Sequence, residues 1–146
     1  MKAVLLNYKF HFSFLFLLFL LDQITKQIFF GKEILITSFF SITPIENTGT
    51  FFGFFQNTNI FFILLSFLMI VFLLYFFQKE KQFQWSFVWI IAGALANVVD
   101  RIIFGFVRDF FYLRYWPVFN LADLFIVGGL VLTLLRGIKE KREMFK

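Results

Sequence analysis

Long runs of hydrophobic residues, separated by shorter polar stretches, dominate the chain. Four of them approach the roughly 20 residues that an α-helix needs to cross the ~30 Å hydrocarbon core of a bilayer. They cover about residues 10–30, 60–77, 85–104 and 119–135. The gaps contain turn-forming residues, among them Gly31, Pro44, Asn57, Asn59, Gly105 and Pro117. The pattern predicts an all-α membrane protein with four transmembrane helices.

Composition supports the membrane class. Hydrophobic residues make up 60% of the 146 positions, whereas soluble domains average about 45–50%. The first apolar run has a basic start like a secretory signal peptide, but no small-x-small cleavage pattern follows it. We therefore expect a retained first helix. With no internal repeat or low-complexity linker, residues 1–146 are predicted to form a single integral-membrane domain.

The basic residues predict the orientation, since cytoplasmic loops carry an excess of lysine and arginine. If both termini are cytoplasmic, the inner side holds Lys2, Lys9, Lys79, Lys81 and five cations between Arg136 and Lys146. The outer side then holds only Lys32, Arg108 and Arg114. We expect both ends of the chain in the cytoplasm. Because the cations flank apolar segments and form no single basic face, nucleic-acid binding is a poor interpretation.

Unusual polar residues are predicted to gather near the outer surface. Asp100 lies about 22 Å above the start of the third helix, at roughly 1.5 Å per residue. Asp109 follows on the outer connection, and Asp123 falls in the first turn of the fourth helix. Asp22 and Lys26 lie late in the first helix. A carboxylate in hydrocarbon is costly and usually faces a protein interior or a cavity, where it is functional.

Two groups of these residues have structural as well as functional interpretations. Asp22 and Lys26 are spaced i,i+4, so they can form a buried ion pair that holds helices in register. Lys26 could also reach a substrate carbonyl or a lipid headgroup. Asn97, Asp100 and Arg101 share one helical face, where their spacing alone slightly favours a structural hydrogen-bond network over a binding site.

The fourth helix begins with a capping pattern. Asn120 fits an N-cap, and Asp123 fits the acidic third helical position that caps free amides and favours the helix dipole. Asp109 has no such structural explanation, because it sits beside Phe110 and Phe111 in an apolar outer segment. A second carboxylate from the next helix can approach it. Two carboxylates at close range share a proton, so one can activate water while the other acts as an acid.

Other chemistries lack the residues that they need. The chain has no cysteine, and its single histidine, His11, is expected at the membrane interface. No His-Glu-x-x-His pattern is present, so a zinc protease is excluded. No serine occupies a recognisable nucleophile motif. An aspartyl mechanism needs no metal, thiol or cofactor.

Two alternatives from other classes stay open at this point. A small transporter or proton-coupled channel would also use intramembrane carboxylates. It would require polar residues through the full membrane depth, whereas the second span offers only Ser66 and Tyr75. A structural or assembly subunit would tolerate substitution of Asp109 and Asp123.

The long outer connection before the second span contains Glu46-Asn47-Thr48-Gly49. Asn and Gly there could form a simple turn, but long loops are often functional. Composition alone leaves a turn and a binding loop about equally supported. The phenylalanines that follow, Phe51, Phe52, Phe54 and Phe55, predict a segment lying on the membrane surface.

Five short patterns occur in order along the chain. They are Asp22-Gln23-x-x-Lys26, Asn47-Thr48-Gly49 with Phe52-Gly53, Asn97-x-x-Asp100-Arg101 with Gly105, Val107-x-Asp109-Phe110, and Phe119-Asn120-x-Ala122-Asp123 with Ile126 and Gly128. With these patterns on four predicted spans, the chain resembles the bacterial lipoprotein signal peptidase family (signal peptidase II), which are intramembrane aspartyl proteases.

The resemblance implies specific roles. Asp109 and Asp123 would be the catalytic pair. The residues that support the site or contact substrate would be Asp22, Lys26, Asn47, Gly49, Asn97, Asp100, Arg101 and Asn120. The substrate would be a prolipoprotein that already carries a diacylglyceryl cysteine, cut just before that cysteine. A small periplasmic β-rich cradle and a mobile amphipathic segment would cover the helices.

The same resemblance implies a setting. The protein would be a multi-pass protein of the bacterial inner membrane with its active site toward the periplasm. It would contact membrane lipids, act as a monomer, need no metal or cofactor, and be inhibited by globomycin-like cyclic peptides.

Three departures from the family pattern carry expectations. Thr50 and Phe51 replace small residues, and Ala92 and Ala96 replace common glycines, so both changes would narrow the substrate groove. Arg108 replaces an aliphatic residue directly before Asp109. A cation there would lie near the catalytic pair and lower the pKa of a carboxyl group.

Overall fold

A computed structural model describes residues 2–49 and 58–144, with residues 2–7 as backbone only. Its helices are α1 (Lys2–Phe29), α2 (Asn59–Lys79), α3 (Gln84–Phe104) and α4 (Leu121–Met144), with a short 3-10 turn at Lys81–Phe83 before α3. Its strands are β1 (Ile34–Leu35), β2 (Phe40–Asn47) and β3 (Val107–Leu113).

The four predicted spans are confirmed as helices long and apolar enough to cross a membrane. Two of the four helices are longer than predicted. The helix α1 already begins at Lys2, and α4 continues past Leu135 to Met144. Lysine, arginine and glutamate are good helix formers, so the α4 helix continues after its apolar pattern ends.

The third helix is the centre of the bundle and packs against α1, α2 and α4. In its most apolar window 61% of the residues are buried inside the protein, against 17% in each other span. Large apolar side chains of α2, such as Phe67 and Leu68, remain exposed on the outside of the bundle. That distribution suits a helix surrounded by its neighbours and three helices that face lipid.

Glycines allow α3 and α4 to approach closely. A Cβ atom on Gly93 would lie 2.3 Å from the backbone oxygen of Ala122, and one on Gly129 would lie 2.7 Å from that of Ser86. Both distances are shorter than van der Waals contact, so only glycine fits. This close packing places the first turn of α4, with Asp123, beside α3.

The predicted cradle is confirmed as a three-stranded antiparallel sheet in the order β1-β2-β3. Ile34 pairs with Ile42, and Asn47 pairs with Val107. Gly105 ends α3 in the left-handed conformation with φ 83°, which turns the chain into β3. Pro44 is not a turn residue as predicted, because it lies inside β2 where the register shifts.

His11, which was expected at the membrane interface, packs inside the bundle where α2 ends and α3 begins, and only 2% of its surface is accessible. Its ring lies 4.4 Å from that of Trp85 and 5.5 Å from that of Phe77. Aromatic packing between α1, α2 and α3 explains this burial. The predicted membrane-surface segment at Phe51–Phe55 lies outside the described residues.

Candidate active site

Asp109 and Asp123 line one cavity of about 310 Å³ near the junction of the sheet and the helix bundle. Asp109 comes from β3, and Asp123 comes from the first turn of α4. The other residues that line the cavity are Asn47, Gly49, Phe62, Ser66, Arg101 and Val107. Two carboxyl groups drawn from successive elements therefore face a shared space.

Strand geometry directs Asp109 into the cavity. Side chains alternate between the two faces of a strand, so Val107 and Asp109 point one way and Arg108 points the other. Asn47, the last residue of β2, pairs with Val107 and lies on the same face. Its Nδ2 donates a 2.8 Å hydrogen bond to Asp109 Oδ2. The same side chain accepts a 3.0 Å bond from the Gly49 backbone N–H, so Asn47 both shapes the turn and reaches the site.

The predicted capping pattern of α4 forms, and it is reciprocal. The Asp123 backbone N–H donates to Asn120 Oδ1 at 3.0 Å, and the Asn120 backbone N–H donates to Asp123 Oδ2 at 3.1 Å. This capping box fixes the start of the helix and the rotamer of Asp123. The hydrogen bonds that cap α4 therefore also hold the Asp123 carboxyl group in its position in the site.

Amide side chains join the two carboxyl groups. Asn120 Nδ2 donates to Asp109 Oδ1 at 2.6 Å, and Asn97 Nδ2 donates to Asp123 Oδ1 at 2.9 Å. Asn120 Nδ2 also donates to Asn97 Oδ1 at 3.1 Å. Each carboxyl group thus accepts two hydrogen bonds from neutral donors, which hold it in place without adding charge.

Asp109 is almost fully buried, with 2% of its surface exposed. Burial, and after it the negative charge of Asp123, raise the pKa of Asp109 to about 7. Hydrogen bonds from Asn47 and Asn120 act in the opposite direction, because they stabilise the charged form. A carboxylic acid that still holds a proton near neutral pH can serve as an acid in catalysis.

A buried charge cluster lies behind the pair. Lys26 has no exposed surface, and its Nζ lies 2.8 Å from Asp22 Oδ2 and 3.3 Å from Asp100 Oδ2. The predicted Asp22–Lys26 ion pair therefore forms. Lys26 Nζ also donates to Asn97 Oδ1 at 2.9 Å, which links the cluster to the aspartates. A completely buried ammonium cannot reach a lipid headgroup, so that alternative for Lys26 is wrong.

Asp22 also positions α4 directly. The Ala122 backbone N–H, one of the free donors of the first helical turn, donates to Asp22 Oδ1 at 2.7 Å. Residues late in α1, late in α3 and early in α4 thus meet at one end of the bundle, as the depth argument predicted.

Arg108 does not lie near the pair as predicted. Strand alternation turns its side chain away from the cavity, and Nη2 lies 2.8 Å from Asp100 Oδ1. The expected position of this cation beside the catalytic pair is therefore wrong, because its guanidinium contacts Asp100 instead.

Asp100 and Arg101 are adjacent on α3, but their side chains contact different neighbours. Arg101 Nη2 donates to the backbone oxygen of Gly49 at 3.0 Å, and its guanidinium lies 5.3 Å from the centre of the Phe62 ring. Asn59 Nδ2 donates to the Arg101 backbone oxygen at 3.0 Å. Arg101 therefore ties the outer loop and α2 to the cavity wall, while Asp100 faces the buried cluster.

The expectation that Ala92 and Ala96 narrow the substrate groove was also wrong. Ala92 is fully buried and packs with Leu18 and Phe125 in the helix core. Ala96 is fully buried too, and its backbone oxygen accepts a hydrogen bond from Gln23. Neither lines the cavity, so neither narrows it. Thr50 and Phe51 lie outside the described residues.

Sequence reasoning missed three residues of the cavity wall, namely Phe62, Ser66 and Val107. Ser66 had been noted only as a rare polar residue of the second span, and that rarity was the available signal. Within residues 2–49 and 58–144, no group of three or more His, Cys, Asp or Glu side chains could hold a metal ion.

The fold and the site together define a multi-pass membrane protein with two carboxyl groups that line one cavity at one end of its helices. A family model described as "Signal peptidase (SPase) II" matches residues 14–139. The chain belongs to the signal peptidase II family.

Two relatives that are similar in sequence and one solved structure with a similar fold support this membership. The lipoprotein signal peptidase of Thermodesulfovibrio yellowstonii is 38% identical over 136 residues, covering 86% of this chain and 92% of that protein. The lipoprotein signal peptidase of Caldicellulosiruptor bescii is 38% identical over 132 residues, covering 86% and 88%. A solved bacterial membrane enzyme has a TM-score of 0.84 at 26% identity, covering 91% of this chain and 90% of that one.

Proposed function

We propose that the protein is an aspartic endopeptidase that removes the signal peptide from prolipoproteins. Its substrate carries a diacylglyceryl group on the cysteine that follows the cleaved bond. The observation that carries the proposal is the shared cavity lined by Asp109 and Asp123. Membership of the signal peptidase II family and relatives named lipoprotein signal peptidase support the substrate class.

The chemistry follows from one proton shared by two carboxyl groups. The ionised aspartate takes a proton from a water molecule in the cavity, and the water oxygen attacks the scissile carbonyl carbon. The protonated aspartate donates a hydrogen bond to the carbonyl oxygen, where negative charge develops. When the C–N bond breaks, the leaving amine takes a proton from the pair, and the products are a free carboxyl group and a free amine.

The environment of each carboxyl group suggests which one begins as the acid. The pKa of Asp109 is raised to about 7 by burial and by Asp123, so Asp109 can hold the shared proton near neutral pH. Asp123 lies in the first turn of a helix, where the dipole favours an anion. On the ground of this dipole we assign Asp109 as the initial acid and Asp123 as the base.

Arg101 and Asn47 supply the polar part of the cavity wall, and Phe62 supplies the apolar part. A peptide that emerges from the bilayer with a lipidated cysteine needs both kinds of surface. The positive-inside pattern supports an orientation in which this end of the bundle lies at the outer face of the inner membrane. We expect the enzyme to act as a monomer among membrane lipids and to bind globomycin-like cyclic peptides.

The transporter alternative finds little support in the inner half of the bundle. The fourth helix below Asp123 has Thr133 as its polar residue before the basic end, and Thr133 Oγ1 donates to the Gly129 backbone oxygen at 2.9 Å. A hydroxyl that is satisfied within its own helix offers no step in an ion path. Along α2, Ser66 lines the cavity while Tyr75 lies at the far end beside Lys79.

A direct test uses purified protein in detergent with one prolipoprotein in two forms, with and without the diacylglyceryl group. The proposal predicts cleavage of the lipidated form at the bond before the cysteine, read by mass spectrometry. Equal cleavage of both forms would overturn the substrate assignment. Absence of cleavage of either form would overturn the enzymatic function.

A further inference from the structure

Arg108 is a buried cation that the proposed reaction does not use. It is 5% exposed and occupies the space between β3, α1 and α3. Its Nη2 donates to Gln23 Oε1 at 3.0 Å, and its guanidinium lies 4.4 Å from the centre of the Phe104 ring. A charged group held this closely on several sides is a built feature and not a solvated surface residue.

Asp100 receives most of the contacts of Arg108. Its Oδ2 accepts from the Arg108 backbone N–H at 3.0 Å and from Nε at 3.2 Å, and its Oδ1 accepts from Nη2 at 2.8 Å. Such charge-assisted bonds are among the strongest in proteins. The charge of Asp100 is therefore satisfied mainly by Arg108.

This arrangement determines where Lys26 lies. Its Nζ is nearer to Asp22, at 2.8 Å, and to Asn97 Oδ1, at 2.9 Å, than to Asp100, at 3.3 Å. Without Arg108, Asp100 would have only Lys26 as a cationic partner and would attract it. Asn97 Oδ1 would then keep only the 3.1 Å bond from Asn120, so its amide would be held less firmly with Nδ2 toward Asp123.

Charge balance gives a second, independent argument. The ionisable side chains around Arg108 that are not exposed to solvent are Asp22 and Lys26 of α1, Asp100 and Arg101 of α3, Asp109 of β3 and Asp123 of α4. Together with Arg108 they comprise four carboxyl groups and three cations. Glu46 of β2 lies opposite Arg108 in the strand register, but it is exposed and therefore screened by solvent. A weakly polar interior favours neutrality, which is reached when the carboxyl groups hold a single proton. That is the protonation state that a two-aspartate mechanism requires.

We propose that Arg108 is a positioning residue of the active site, which neutralises Asp100 so that Lys26 stays on Asn97 and the aspartate pair keeps one proton. The inference rests on the proposed two-aspartate mechanism. Arg108 does not line the cavity, so it acts through its neighbours and not on the substrate.

The first variant removes the charge alone. Arg108→Met should lower kcat about tenfold, since a displaced Asn97 and a base that is more often protonated both reduce the reactive fraction. KM should change less than about twofold, because the cavity wall is intact. The pH–rate profile should move to higher pH by about one unit, since loss of one positive charge from the buried cluster makes its carboxyl groups hold protons more tightly. Arg114→Met is the matched control, because Arg114 is exposed beside Tyr115.

Two further variants separate charge balance from packing. Asp100→Asn/Arg108→Met leaves three carboxyl groups and two cations, so one shared proton again gives neutrality. Its pH–rate profile should return to that of the unmodified enzyme even though it lacks more contacts than the single variant. Arg108→Lys keeps the charge and should also keep the profile. If Arg108 had only a packing role, the double variant would have lower activity than the single variant, because it lacks more contacts.

The proposal is overturned if Arg108→Met keeps the unmodified kcat and pH–rate profile, or if the double variant keeps the profile shift of the single one. If Arg108→Met does not fold in detergent, the profile of the double variant decides. Failure of this proposal is distinguishable from failure of the proposed function. In the first case the unmodified enzyme still cleaves lipidated substrate and Asp109→Asn does not; in the second case that difference is absent.

Discussion

Asn120 Nδ2 lies 2.6 Å from Asp109 Oδ1, while the same side chain caps the helix that begins at Leu121 and accepts a hydrogen bond from the Asp123 backbone. One amide thus connects the strand that carries one carboxyl group with the helix that carries the other. The relative position of the two carboxyl groups depends on this side chain.

Substitution at this residue can separate its two roles. Asn120→Ser should keep the cap, because serine is as good an N-cap as asparagine, but it removes the donor to Asp109. We expect kcat to fall up to about tenfold, since the lost hydrogen bond to the protonated Asp109 is worth ~0.5–1.5 kcal/mol. The thermal midpoint in detergent should stay close to that of the unmodified protein. Asn120→Ala, which loses both roles, is the comparison and should lower both quantities. Full activity of Asn120→Ser would contradict the linking role.

The pH dependence follows from the acid role assigned to Asp109. Its pKa is raised to about 7 by burial and by the charge of Asp123. Below that pH Asp109 holds the proton that the reaction needs, and above it the proton is lost, so kcat should fall as pH rises through about 7. Asn47→Ala removes a donor that stabilises the charged form, so the alkaline limb should move to higher pH. Glu33→Gln, which removes an exposed carboxyl group between α1 and β1, is the control. An alkaline limb that moves to lower pH in Asn47→Ala would contradict the assignment.

The buried cluster should be sensitive to loss of its central cation. Lys26→Met leaves Asp22 and Asp100 without the ammonium that lies 2.8 Å and 3.3 Å from them. Removing one partner of a buried ion pair typically costs about 3–5 kcal/mol. We expect a clearly lower thermal midpoint and loss of activity. Lys32→Met, which removes an exposed cation just after α1, should change neither. Equal thermal midpoints for the two variants would contradict the account of the cluster.

Close packing of α3 on α4 gives a further prediction. Gly93→Ala would put a Cβ atom 2.3 Å from the Ala122 oxygen, which must push the helices apart. Overpacking of this kind costs about 1–3 kcal/mol, and it displaces the turn that carries Asp123. Activity and thermal midpoint should both fall. Gly137→Ala, where nothing lies within 4 Å of the new atom, should leave activity unchanged and stabilise α4 slightly. Similar effects of the two alanines would contradict this packing argument.

Much of the fold could be predicted because bilayer dimensions constrain it. Apolar runs of the right length gave the four helices, and rise per residue placed Asp22, Asp100 and Asp123 at one depth. Helix ends were less predictable. Beyond Leu135 the apolar signal stops while helix-forming charged residues continue, so hydropathy alone ended α4 too early.

The site could be predicted only where the local spacing of residues determines the direction in which their side chains point. The capping pattern of Asn120 and Asp123 and the i,i+4 pair of Asp22 and Lys26 are local, and both are present. Arg108 was misplaced because its direction depends on β3, a strand that hydropathy does not reveal in the outer connection. Adjacent residues of a strand face opposite sides of the sheet, so the Arg108 side chain points away from that of its sequence neighbour Asp109.

The cavity wall could not be assembled from local patterns either. Phe62 and Ser66 come from α2, whose rotation in the bundle is set by packing against α3. A nearly uniform apolar helix carries no signal that identifies its inward face. The place of Ser66 therefore emerged only with the tertiary structure.

The central claim is that the carboxyl groups of Asp109 and Asp123 act together on a bound peptide bond. The most direct measurement compares cleavage of a diacylglyceryl-modified prolipoprotein by the unmodified enzyme, Asp109→Asn, Asp123→Asn and the exposed control Glu33→Gln, each shown to be folded by its thermal transition in detergent. We predict loss of at least about a thousandfold in kcat for both asparagine variants, since each removes a catalytic acid or base, and unchanged activity for Glu33→Gln. Folded Asp109→Asn or Asp123→Asn protein with full activity would contradict the account.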